Sequence, residues 1–204
     1  RISTEMGRKN GEKMARNENR SAKWRGSWII VRIRITQSHG DDSNLEIEEK
    51  QADKAARLSR GSIGRSLGFL TENETEGTLE LARQRSFKFL NACLQTNRTL
   101  IYEEAIKLSG TPSRILGPTI DSLGDALRDL ALFILEDQDK IINTDTIKFL
   151  EGKCSKWNIH PRSITESFGY LDEAKEQMDS NINTQLIITN LLINVQEKLS
   201  ERSK

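Results

Sequence analysis

Leu58-Ser59-Arg60-Gly61-Ser62-Ile63-Gly64-Arg65-Ser66-Leu67-Gly68-Phe69-Leu70 is the stretch on which the fold turns. Upstream of it, Ala52, Ala55, Ala56 and Leu58 recur at helical spacing and predict a helix over 42–58. Gly61 follows, a residue suited to the left-handed conformation that closes a helix. Ser62 stands where it can cap a second helix, whose first turns carry Arg65 on one side and Leu67 and Leu70 on the other. A helix that stops on glycine and restarts with an arginine can hold that cation rigidly against a phosphate or a neighbouring subunit. The plainer reading of Gly61, Ser62, Gly64 and Arg65 is a helical hairpin with a solvated arginine.

The same pattern continues downstream. Thr71-Glu72-Asn73-Glu74 reads as a capping box, opening a helix to about Gln95 with Leu79, Ala82, Phe87, Leu90 and Leu94 inward. A further helix, Arg98 to Leu108, turns Ile101, Ala105, Ile106 and Leu108 inward and ends at Gly110. Thr111-Pro112-Ser113 and Gly117-Pro118 interrupt the periodicity and predict a domain boundary there. Beyond it, Ile120, Leu123, Leu127, Leu130 and Ile134 recur at spacings of 3, 4, 3 and 4, and Ala126, Leu132, Phe133 and Leu135 widen that stripe. Asn143 is placed to cap a helix from Thr144 to Cys154, with Trp157 plugging the turn that follows. His160-Pro161 leads into a helix with Ile164, Phe168, Leu171, Ala174 and Met178 inward, and His160 reads as a loop residue rather than a base. The last helix, Asn181 to Lys198, has a stripe of Ile188, Leu191, Leu192, Val195 and Leu199, with Leu186, Ile187 and Ile193 largely outside it. Each buried Leu or Ile stabilises by about 1.5–3 kcal/mol, so apolar residues in excess of one stripe imply a partner surface. A central helix in a monomeric bundle is the alternative.

Composition narrows the class. The chain has 204 residues, 35% hydrophobic and 30% charged, with three prolines, as expected of a helical protein. Charge is polarised: residues 1–36 hold ten Lys/Arg against three Glu, net +7, which leaves 21 basic and 27 acidic residues, net −6. That head should be loosely held, with Trp28 to Ile35 as one stray strand. Gly7 to Lys13 is not a phosphate loop, because its glycines are one residue too close and Glu12 stands where lysine belongs. Cys93 and Cys154 lie 61 residues apart without a CxxC, which points to idle thiols in a reducing cytosol and no metal site. No run of 18 apolar residues offers a membrane span. Neither histidine has a nucleophile at catalytic spacing, and pairs such as Glu103/Glu104 point to different sides of a helix. No catalytic residue and no cofactor is expected.

Three segments carry a resemblance. "ARLSRGSIGRSLGFL" resembles the start of the lid in clamp-loader AAA+ proteins, at the segment called sensor 2, and in particular the delta-prime subunits of bacterial DNA polymerase III. Leu127 to Leu135 and Leu171 to Val195 resemble the collar helices of those subunits, in the same order, so the likeness spans about residues 50–200. It implies a small helical lid bundle over 42–112 and a helical collar over 113–204; with the basic, poorly structured segment over 1–41 read from composition, an all-α chain is expected. It also implies Arg65 as a phosphate or subunit contact, although many relatives have proline where Ile63 stands.

In the collar, Leu132, Leu135, Leu186, Ile187 and Ile193 become the candidate subunit interface. The implied partners are gamma/tau-type and delta-type subunits, with the sliding clamp and primer-template DNA reached indirectly. The implied role is that of a cytoplasmic, non-catalytic subunit within a DNA-directed DNA polymerase, supporting replication by assembling the loader. In such relatives a nucleotide-binding α/β domain precedes the lid. Nothing in residues 1–50 matches it, and the chain begins at an arginine, so an absent AAA+ core is expected. The rival readings are a stand-alone helical adaptor and a nucleic-acid-binding module driven by the basic head.

Overall fold

A computed structural model of the chain describes residues 49–70, 77–154, 159–180 and 182–201. Their regular elements are α1 (Glu49–Leu58), α2 (Ile63–Leu67), α3 (Thr78–Cys93), α4 (Thr99–Ile106), α5 (Ser113–Ile134), α6 (Ile147–Cys154), α7 (Pro161–Met178) and α8 (Thr184–Ser200). Single 3-10 turns stand at Gln138–Lys140 and Thr144–Thr146, and no strand occurs among the described residues. The fold is all-α. The basic head, the alternating run at 28–35, the box at 71–74 and Trp157 lie outside the described residues. The chain divides into two compact units between Thr78 and Leu79.

The first unit is built on the glycine turn. Gly61 has φ +88, and Arg60 before it is also left-handed at φ 53. The chain then restarts as α2, with the Ser62 hydroxyl accepting the Arg65 N–H at 3.4 Å. Ala55 and Leu70 form a small apolar cluster with Leu67 and Phe69. Gly77 closes the unit by pressing its backbone against the α2 exit. A Cβ there would lie 2.3 Å from the Gly68 carbonyl oxygen and 2.6 Å from that of Leu70, so only glycine fits.

The second unit shares one hydrophobic core across all six of its helices, α3 to α8. The stripe Ile120, Leu123, Leu127 and Leu130 is fully buried at its centre. α5 and α7 run antiparallel, with Ser113 Oγ donating to the Met178 carbonyl at 3.0 Å and Lys175 pairing with Asp121 at 2.7 Å. α7 and α8 are antiparallel too, since Lys198 near the end of α8 reaches Glu166 near the start of α7 at 3.4 Å. His160 caps α7 through Nδ1, which accepts the Arg162 N–H at 3.2 Å, and Pro161 takes the first helical position.

Four expectations are corrected here. The boundary at 112/113 falls inside this core. α5 runs unbroken through Gly117-Pro118, because a proline this near the helix start leaves only one carbonyl, that of Arg114, without its helical donor. Phe89, not Phe87, is the buried phenylalanine of α3; Phe87 is half-buried, with the Arg83 guanidinium 5.3 Å above its ring. Ile106 and Phe168, expected inward, are exposed. Asn143 does not cap a helix with its side chain, which points instead into a buried polar cluster.

Candidate functional site

The residues singled out in the sequence fall into two separate groups. Gly61, Ser62, Gly64 and Arg65 meet in one exposed turn. There Arg65 projects from the last turn of α2, and its guanidinium has no partner among the described residues. The turn therefore presents the Arg65 cation on a short support, with the exposed Arg60 just before Gly61.

The collar residues are dispersed. Leu186 is 58% exposed, whereas its neighbour Ile187 is 1% exposed and belongs to the core. Ile187 is thus withdrawn from the surface: α7 and α4 both pack on α8, so the apolar arc of that helix is wider than its five-residue stripe. Ile193 is half-buried and packs against the same core, and Leu132 is half-buried. Leu135 is 60% exposed just beyond the end of α5.

Leu186 has company that the sequence did not single out. Ile182 is exposed one turn ahead of it, and Ile115 is exposed in the first turn of α5. The Ser113–Met178 bond places the start of α5 beside the end of α7, hence at the same end of the unit as Ile182 and Leu186. Leu135 lies at the opposite end of α5, a 22-residue helix and so about 33 Å long at 1.5 Å per residue. The second unit therefore carries exposed apolar side chains at both ends of α5, and Leu81, Tyr102, Ile106 and Phe168 are exposed elsewhere on it.

The most constructed polar feature was not anticipated. Arg83, 6% exposed on α3, donates from Nε and NH2 to both carboxylate oxygens of Glu80, at 2.9 and 2.8 Å. It also donates from NH1 and NH2 to both oxygens of Asp145, at 3.2 and 2.9 Å, and from NH1 to Asn143 Oδ1 at 3.3 Å. Asn143 Nδ2 in turn donates to Asp129 Oδ2 on α5 at 2.7 Å. Burial works to lower the Arg83 pKa, but its hydrogen bonds to Glu80 and the charge of Asp145 outweigh that, and the guanidinium is held above its ordinary value. The i,i+3 spacing of Glu80 and Arg83 is visible in the sequence. Their partners 60 and 62 residues away are not, because no periodicity links a helix to a distant loop.

No family model, curated protein or solved structure matches this chain. Among the described residues no three His, Cys, Asp or Glu side chains converge as a metal ion would require, and no helix is long and apolar enough to cross a membrane. Cys93 is buried, with Sγ 3.5 Å from the Leu192 carbonyl, and desolvation raises its pKa; burial pushes the Cys154 thiol up to about 11. Such thiols are poor nucleophiles at neutral pH. What the surface offers is an arginine-bearing turn and exposed apolar side chains that include Leu186 and Leu135.

Proposed function

We propose that this chain is a clamp-loader subunit of the delta-prime type, which serves replication by assembling the loader that places the sliding clamp on DNA. Its contribution is packing, not chemistry. The supporting observation is that exposed apolar side chains stand at both ends of α5, Ile115, Ile182 and Leu186 at one and Leu135 at the other, among further exposed ones at Leu81, Tyr102, Ile106 and Phe168. A subunit in a closed ring must meet two neighbours through two different surfaces, and such a heterologous arrangement needs two contact sites per chain. The order of lid-like and collar-like segments along the chain points the same way. Arg65, held on its turn, is the cation available to a neighbouring subunit or its nucleotide.

The test is sedimentation of the purified chain with gamma/tau-type and delta-type subunits. Co-sedimentation that Leu186→Glu and Leu135→Glu each weaken is expected. A monomer indifferent to those subunits would count decisively against the assignment, and self-association without them would favour a stand-alone adaptor. In an assembled loader, Arg65→Ala should reduce assembly or ATP-coupled loading; unchanged loading would remove Arg65 from the site.

A further inference from the structure

Residues 137–146 cross from the end of α5 to α6, and of their two apolar side chains only Ile141 is fully buried. The crossing begins at Glu136, where φ +56 turns the chain sharply. What fastens it is polar. Asp129 accepts the backbone N–H of Ile142 at 3.1 Å and of Asn143 at 2.9 Å, together with the Asn143 side-chain amide. Arg83 holds Asn143 and Asp145 from the other side.

Each of these two charged anchors has a second partner on its own helix. Arg83 is already chelated by Glu80, one turn back on α3. Asp129 Oδ1 lies 3.6 Å from Arg128 NH1, just beyond hydrogen-bonding distance, and that buried NH1 makes no hydrogen bond of its own. A buried charge stripped of its sole partner is heavily penalised, and such a cluster would then be a permanent tie. Here neither charge is stripped when the crossing segment leaves.

We propose that residues 137–146 form a releasable strap, and that Glu80 and Arg128 are the standby partners that take over Arg83 and Asp129 when it lifts. Lifting uncovers Ile141 and frees the chain next to Leu135 while the helical core stays intact. This inference does not depend on the clamp-loader assignment. Segments held by few apolar contacts are the ones that open below the free energy of global unfolding.

Native-state amide exchange read by NMR on the full chain tests it, because the Ile142 and Asn143 amides are bonded to the Asp129 carboxylate. They should exchange at least about tenfold faster than the Leu191 and Leu192 amides of α8, with little dependence on mild denaturant. Asp129→Asn should speed them by a further factor of about ten and leave α8 unchanged. Arg128→Gln, at a side chain 41% exposed and so compatible with folding, should slow them, since it removes the standby partner of the open state. Exchange of Ile142 and Asn143 only together with α8 would overturn the proposal. So would faster exchange in Arg128→Gln, which is the outcome if Arg128 merely steadies the closed strap.

Discussion

Leu186 and Ile187 are adjacent in sequence, similar in volume and opposite in surroundings, so truncating each in turn weighs the core against the surface. Ile187→Ala removes three carbon groups from a side chain 1% exposed, a transfer loss of about 2.4 kcal/mol at 0.8 per group. The cavity left in a core that relaxes only in part adds to this, giving a total of about 3–4 kcal/mol. Leu186→Ala removes the same number of groups from a side chain that is 58% exposed. Only the covered fraction counts, which brings the loss to about 1 kcal/mol with no closed cavity. Urea unfolding followed by circular dichroism should show a large fall in midpoint for Ile187→Ala, a small one for Leu186→Ala, and similar slopes for both. On the proposed clamp-loader reading the order reverses in sedimentation with gamma/tau-type and delta-type subunits, where Leu186→Ala should weaken association and Ile187→Ala should do so only through lost folding. Equal destabilisation by the two substitutions would refute the placement of Ile187 in the core and of Leu186 outside it.

Gly124→Ala in α5 should raise stability by about 1 kcal/mol, because alanine is the better helix former. The new methyl would lie 3.7 Å from Phe168 Cε1 and 4.0 Å from Leu171 Cδ2, ordinary contact distances, and a fall in thermal midpoint would show that the α5–α7 packing is tighter than this. Thiol titration at pH 8 should find Cys93 and Cys154 slow to react in the folded chain and fast in denaturant, since burial raises both pKa values; rapid native reaction of Cys93 would contradict its burial. A hydrogen bond from Arg162, then one from Lys198, holds the Glu166 carboxyl below its ordinary value of 4.5. Its contribution to stability is therefore complete above that value and disappears as pH falls through the lowered one. Glu166→Gln should flatten this acid limb, as should about 1 M salt, because the group is exposed and screened; an acid limb unchanged by the substitution would remove Glu166 from the account.

The helices were legible because their signals are local. Gly61 closes α1 by its own backbone preference, and the Ile120–Leu130 stripe marks a buried face whichever helix covers it. His160-Pro161 likewise announces the start of α7. Errors came where a neighbour distant in sequence decides which side is inside. Phe87 and Phe89 both fit the pattern of α3, and Arg83 claims the position beside Phe87. Phe168 rests partly on Gly124, which has no side chain to cover it. Asn143 has the right identity for a cap, yet Asp129 and Arg83 offer stronger charged partners than an orphan helix N–H. Of the candidate site, the glycine turn bearing Arg65 could be read directly. That Ile115 lies at the same end of the unit as Ile182 and Leu186 could not, because it depends on the antiparallel return of α7 beside α5.

One oily interior serves every helix from α3 to α8, and this dictates where the molecule can be cut. Scission at 112/113, beside Pro112, would tear the Phe89–Leu94 and Ile101–Leu108 faces from their complement and leave two sticky halves. Scission at 78/79 would spare that interior entirely, so limited proteolysis should leave the stretch beyond Leu79 as the piece that survives.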